Sequence, residues 1–203
     1  MITVYHLSQS RSLRIIWLLE ELGQQYEVIR FERDPQSRLA PPALTRLHPL
    51  GKAPMIEFQG RLIGESGAIV ELLCSRYGPQ MIPQTGTGAH IRHLEWMHFA
   101  EGSVMTPILL NLYLSRLGEA AAPLQPRIQS ELTSHFQYME NGLRPSGHFV
   151  LDELSAADIM LSFPALIALR MGRGEEFPRL AEFCRRIEAR PAWHRAIDAA
   201  GGD

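Results

Sequence analysis

Between Ile2 and Tyr77 the spacing of apolar positions alternates between that of a strand and that of a helix. Ile2-Thr3-Val4-Tyr5 has strand composition, and Arg14 to Leu22 carries Ile15, Ile16, Leu18, Leu19 and Leu22 at helical spacing until Gly23 stops it. A second strand is expected at Tyr26 to Phe31. From Arg33 to Pro49 the chain is polar and rich in proline, which predicts an exposed loop with at most one helical turn. Met55-Ile56-Glu57-Phe58 and Arg61-Leu62-Ile63 flank Gln59-Gly60 and read as a hairpin, and Ser66 to Tyr77 follows as a helix. After the Gly78-Pro79 and Pro83 to Gly88 breaks the pattern is helical throughout. Its segments are divided by Gly118, Pro123, Pro145, Gly147, Gly172, Gly174 and Pro191, with Phe149-Val150-Leu151 the one short run of strand character.

The first unit therefore runs βαβ and then ββα, the thioredoxin-like order of a small sheet with helices on both sides, and the second is an all-α helical bundle. The expected boundaries are residues 1–79 for the α/β domain, 80–88 for a linker and 89–203 for the helical domain. Within the bundle, Ser155-Ala156-Ala157-Asp158 precedes Ile159-Met160-Leu161 and reads as a capping box at the start of a mostly apolar, central helix.

Composition then narrows the classes of function. A formal charge of −2, with arginine and acidic residues interspersed, leaves no electrostatic footprint for nucleic acid or an anionic membrane. No charged-then-apolar leader and no bilayer-length apolar run is present, so a cytoplasmic location is expected. Cys74 and Cys184 lie singly in apolar or helical stretches and read as buried thiols. His90, His93 and His98 do not fall on one helical stripe, and no metal site is expected.

Lys52 is the only lysine, against nineteen arginines, and it stands in the run Pro49-Leu50-Gly51-Lys52-Ala53-Pro54 directly before a strand. A lysine is a compact, mobile charge suited to a single carboxylate, where arginine is a planar fork. Pro54 at the entry to a sheet favours a cis bond, which would turn the backbone of Ala53 toward an extended peptide ligand. Glu65-Ser66 stands at the predicted start of a helix. There Ser66 fits as an N-cap, and the pair also suits a receptor for the charged end of an amino acid.

These segments resemble the soluble glutathione S-transferases of the bacterial and fungal serine type, and the resemblance runs nearly end to end. It implies the glutathione transferase fold, glutathione as co-substrate with no other cofactor, a hydrophobic electrophile or peroxide as second substrate, and a two-fold homodimer. Matched to the family's motifs, Pro49 to Pro54 contains its cis-proline, and Ala53 presents its backbone to the cysteinyl part of glutathione. Lys52 faces the glycine carboxylate, Glu65-Ser66 receives the γ-glutamyl end, and Ser155 to Asp158 is the helix-capping box. Leu151-Asp152-Glu153-Leu154 lacks the glycine often found ahead of that box.

Catalysis in such proteins needs the glutathione thiol ionised, and lowering a thiol pKa of about 8.5 by roughly 2 units takes about 2.7 kcal/mol. One hydroxyl at a helix start is of that order, since a hydrogen bond to a charged group is worth about 1.5–3 kcal/mol and the helix adds about 0.3–1. The serine-type pattern counts back four residues from Arg14 to Ser10. Tyr5, Ser8, Ser12 and Arg11 are the alternatives, Tyr5 fitting also as a packed aromatic and Ser12 as a helix cap. His98, Glu101, Met105 and Tyr113, near the start of the second unit, are the candidate electrophile pocket. Two further readings stay open: a glutathione-binding regulatory module without turnover, and a glutathione-dependent disulfide reductase.

Overall fold

The computed structural model describes residues 1–202, which fall into two compact units. The first holds Met1–Pro79 together with the segment from Ile187 onward, and the second holds Gln80–Arg186. The sequence pattern predicts one helical domain over residues 89–203. The structure instead returns the last helix to the sheet unit, for a reason that lies in the first helix.

The sheet unit contains β1 (Ile2–Leu7), α1 (Leu13–Glu21), β2 (Tyr26–Phe31), α2 (Pro42–Leu47), β3 (Met55–Phe58), β4 (Arg61–Ile63) and α3 (Ser66–Tyr77). Its strands lie in the order β2-β1-β3-β4. β1 runs parallel to β2, with Ile2 opposite Tyr26 and Leu7 opposite Phe31, and antiparallel to β3, with Tyr5 opposite Met55. The β3–β4 hairpin closes through Gln59 (φ 51°) and Gly60 (φ 74°). Positive φ at both central residues matches the right-handed twist of the flanking strands, which is why a two-residue loop there calls for glycine.

Helix α1 is buried almost all round: Leu13, Ile15, Ile16, Trp17, Leu18 and Leu19 are all in the core. A helix covered on one face only by a sheet would leave the opposite face wet. The covering is supplied by α9 (Pro191–Ala200), whose Trp193 meets Trp17 edge to face at 5.4 Å between ring centroids. Polar groups fix the same junction. Glu21 accepts from the Trp17 indole N–H at 2.8 Å and from Arg190 at 2.5 and 2.8 Å. Glu20 accepts from the Tyr26 hydroxyl and from Arg195, each at 2.5 Å, and Arg30 of β2 donates to the Ala199 carbonyl. Between Arg33 and Pro49, where a loop with at most one helical turn is expected, residues 33–41 are irregular and the short helix α2 follows them. Pro42 opens its first turn, and Leu44 packs into a cluster with Tyr5, Leu7 and Met55.

The helical unit contains α4 (Gly88–Gly102), α5 (Met105–Leu114), α6 (Gln125–Gly142), α7 (Ala156–Arg170) and α8 (Pro178–Glu188), the boundary between units falling in the last turn of α8. No strand forms among the described residues at 149–151. The Phe149 N–H goes instead to Asp158 Oδ1 at 2.9 Å, and the Val150 carbonyl accepts from Arg144. Asp158, fully buried, also accepts from the Ser155 N–H and hydroxyl at 2.7 Å each, while Ser155 Oγ accepts from the Asp158 N–H. The expected capping box is present at the start of the buried helix α7. A second cap is not local: the Glu140 carboxylate of α6 accepts from the Arg179 and Leu180 amides in the first turn of α8.

Two expectations follow. Asp158→Ala leaves the Phe149 and Ser155 amides buried without their acceptor, at about 1–3 kcal/mol each, so chemical denaturation should show a loss of about 2–6 kcal/mol. Loss of only the roughly 1 kcal/mol typical of a helix cap would mean that the tie to Phe149 is unimportant. Cys74 and Cys184 are both buried and held in no disulfide, and burial pushes the Cys74 thiol up to about 12. Native protein should therefore resist alkylation at pH 8, with both thiols appearing on unfolding. Stoichiometric labelling of the folded protein would contradict this.

Candidate functional site

The sheet register brings three of the sequence-predicted segments to one end of the sheet unit. β1 pairs with β3 down to Tyr5 and Met55, so by the same count Leu7 and the loop after it lie beside Ala53. β3 pairs with β4 up to Ile56 and Ile63, which carries Gly64-Glu65 past the same end, level with Pro54. The β1–α1 loop, the Lys52–Pro54 turn and the start of α3 thus converge because a strand ladder fixes both ends of every strand at once. A hydrogen bond from the Arg14 guanidinium to Ser66 Oγ ties the start of α1 to the start of α3.

The Ala53–Pro54 peptide is cis. Ladder pairing of β3 begins only at Met55, so Ala53 lies outside it, while Lys52 is solvent-exposed. The turn is anchored from behind: Gly51 has φ 55°, and a Cβ there would stand 2.5 Å from the Thr45 methyl of α2. Glycine is required at Gly51 on both counts, backbone and space.

At α3 the structure corrects one expectation. Ser66 is the first residue of the helix and not its N-cap; that position belongs to Glu65, at φ 62°. The Ser66 hydroxyl is buried and engaged by Arg14 instead of capping the helix. The exposed Glu65 makes no side-chain cap either. Its carboxylate stands outward beside a helix N-terminus, an arrangement that suits a group bearing both an ammonium and a carboxylate.

The loop after β1 holds the candidate hydroxyls. Ser10 is buried to 8% exposure, with its Oγ 2.7 Å from Ser12 Oγ and accepting from the Ser12 N–H. Ser12 lies at the N-cap position of α1 but does not cap with its side chain. Its Oγ turns back to take the Leu7 N–H and meets His6 Nδ1 at 2.9 Å. Ser8 is spent on the segment that follows β2, accepting from the Arg33 N–H through its hydroxyl. Arg11 is half-buried on the same loop. Tyr5 points away from this loop chemistry: its phenol donates to Glu57 at 3.1 Å, and burial followed by the Glu57 hydrogen bond and charge raise its pKa above the usual value. A phenol that holds its proton for a carboxylate is a poor donor to a second anion. Sequence reasoning missed His6 and used Arg14 only as a marker for counting. Their signal was faint: a polar residue in a strand that the structure buries, and an arginine inside an otherwise apolar helical face.

In the helical unit, His98 and Glu101 lie three apart on α4, His98 exposed and Glu101 half-buried. Met105 is buried at the start of α5 and belongs to the core, whereas Tyr113 near the end of that helix is 54% exposed. His90 and His93 stack on α4, but no group of three or more His, Cys, Asp or Glu among the described residues is placed to hold a metal ion. No helix among them is long and apolar enough to cross a membrane.

Comparison with known proteins agrees with this geometry. The glutathione S-transferase N-terminal domain profile matches residues 1–74, and the C-terminal domain profile matches residues 104–194. Glutathione S-transferase 3 of Schizosaccharomyces pombe is 33% identical over 214 residues, spanning 98% of this chain and 87% of that protein. Glutathione S-transferase 1 of Saccharomyces cerevisiae is 25% identical, spanning 98% and 95%. Among solved structures, a glutathione S-transferase from Actinobacillus pleuropneumoniae superposes with a TM-score of 0.89 at 30% identity, covering 100% of this chain and 94% of that one. A sphingomonad enzyme complexed with glutathione shares the fold, with a TM-score of 0.81 at 20% identity over 98% of both chains. By sequence across nearly its whole length, and by fold, this chain belongs to the glutathione S-transferase family.

Proposed function

We propose that this protein is a glutathione S-transferase in which Ser10 stabilises the glutathione thiolate. The observation that carries the reading is the convergence of the Ser10 loop, the Lys52-Ala53-Pro54 turn and Glu65-Ser66 at one end of the sheet. In this reading the cysteinyl backbone of glutathione pairs with Ala53 beside Pro54 as an added strand. The γ-glutamyl group meets Glu65 and the amides that open α3, and Lys52 faces the glycine carboxylate.

That placement leaves the sulfur toward the Ser10 loop. A hydroxyl donating to the thiolate, at about 1.5–3 kcal/mol, holds the thiol ionised about one to two pH units lower than it would otherwise be. The thiolate then attacks an electrophilic carbon, forming a C–S bond as the leaving group departs with its electron pair. With a peroxide the sulfur attacks oxygen, becoming a sulfenic acid as an alcohol leaves, and a second glutathione displaces water from that sulfur to give the disulfide. Selectivity between the two rests on the second substrate. Buried cysteines held in no disulfide suit a reducing compartment, and we place the protein in the cytoplasm. We also propose the two-fold homodimer of its family, for which light scattering should give twice the 22.9 kDa chain mass.

Retention on immobilised glutathione, followed by assays with a chloronitroaromatic, cumene hydroperoxide and a mixed disulfide, tests the activity. Binding without turnover on any of the three would favour a regulatory module. Turnover confined to the disulfide would favour the reductase. Ser10→Ala should lower kcat/KM by about 10- to 150-fold with the KM for glutathione little changed, the factor matching a lost charge-assisted hydrogen bond. Undiminished activity would move the role to Ser12 or Arg11. Lys52→Met should raise the KM for glutathione only about 1.5- to 5-fold, since an exposed ion pair is worth about 0.2–1 kcal/mol.

A further inference from the structure

The Ser10 hydroxyl is one end of a buried chain whose other end is His6. His6 is 1% exposed and Ser12 is fully buried. His6 Nδ1 lies 2.9 Å from Ser12 Oγ, which lies 2.7 Å from Ser10 Oγ. Two backbone amides complete the set: Leu7 N–H donates to Ser12 Oγ at 3.2 Å, and Ser12 N–H donates to Ser10 Oγ at 3.2 Å.

A hydroxyl carries one hydrogen and two lone pairs, so the hydrogens along this chain can be counted. One lone pair of Ser12 is taken by Leu7. If His6 Nδ1 is a bare acceptor, the Ser12 hydrogen goes to it, and the 2.7 Å contact closes only when Ser10 gives its own hydrogen to Ser12. The same holds if Ser12 turns its hydrogen to the Leu7 carbonyl, at a long 3.4 Å. In either case Ser10 has nothing left to donate. If His6 Nδ1 carries a hydrogen, His6 and Leu7 fill both lone pairs of Ser12, and the Ser12 hydrogen goes to Ser10. Both lone pairs of Ser10 are then filled, by Ser12 Oγ–H and Ser12 N–H, and its hydrogen must point out of the chain.

We propose that His6 is a positioning residue for the transferase reaction: its Nδ1–H, acting through Ser12, turns the Ser10 hydrogen outward to the glutathione sulfur. This rests on the assignment of Ser10 above and adds the direction in which the chain is polarised. Donors in series also strengthen one another, so the Ser10 hydroxyl is a better donor than an isolated serine.

Long-range proton–nitrogen NMR of the glutathione-bound protein reads the His6 ring directly, with the His6→Phe spectrum identifying its signals among the eight histidines. A protonated Nδ1, neutral or charged, is expected; a hydrogen on Nε2 alone overturns the proposal. Kinetics supply an independent test. Ser12→Ala and His6→Phe should each lower kcat/KM about 3- to 10-fold at pH 6.5, corresponding to a rise of about half to one unit in the bound thiol pKa. The deficit should vanish by about pH 9, with the KM for glutathione unchanged and His6→Asn, which retains an N–H donor, recovering most of the loss. Should His6→Phe fail to fold, the Ser12→Ala profile decides. The thiolate absorbance of bound glutathione in Ser10→Ala separates the two readings. An unchanged thiol pKa there rejects Ser10 itself. A raised pKa in Ser10→Ala with a wild-type pKa in Ser12→Ala rejects only the His6 chain.

Discussion

The pairing of β1 with β3, Tyr5 against Met55, is the constraint on which the rest of the sheet unit depends. A slip of one residue would send every side chain of β1 to the opposite face, exchanging Val4 and His6 with Tyr5 and Leu7, which pack with Leu44 and Met55. It would also separate the loop after Leu7 from the Ala53–Pro54 turn. Because β3 is paired on its other edge with β4, the same register decides where α3 begins. The position of the loop that carries Ser10 is here a consequence of strand pairing more than of the loop's own residues.

That loop carries more polar groups than a surface turn needs. His6 Nδ1, Ser10 Oγ and Ser12 Oγ are each withdrawn from water and linked to one another and to two backbone amides. Such a network is stable only if every donor finds an acceptor, and its hydrogens then have few permitted arrangements. A network built in this way is preorganised, its hydrogen bonds being in place before any ligand arrives. On the neighbouring helix, Arg14 holds Ser66 from a buried position, joining the two helix starts with a charge-assisted bond.

The two units solve the problem of buried helices by related means. In the sheet unit α1 is enclosed because α9 returns, and Glu20 and Glu21 are matched by Arg195 and Arg190 around the Trp17–Trp193 contact. In the helical unit α7 is enclosed with Asp158 at its head, and Glu140 supplies the α8 amides with an acceptor from another helix. In both, carboxylates sit where backbone or indole N–H groups would otherwise be buried without partners.

Much of this was legible in the residues. Strand β2, both hairpin strands, the Gln59-Gly60 turn, the α7 capping box and the proline turn before β3 each follow from a local rule of period, backbone freedom or capping. So did the candidate loop, because it joins a strand to a helix. Other features were not legible. The six-residue α2 is held by Leu44 packing beneath Tyr5, which local polarity between Arg33 and Pro49 conceals. Ser66 had the identity of a cap and was drawn instead to Arg14, fifty-two residues away. The short run at 149–151 had strand character but no partner strand, and Asp158 took its amide. Sequence by itself determined the longer elements and which of their faces turn inward, since both are recorded in periods of a few residues. Tertiary structure alone decided that α9 covers α1, that Glu140 caps α8, and that His6 lies behind Ser12 and Ser10. Those pairings depend on which distant surfaces exclude water together, and no local period encodes the identity of the partner.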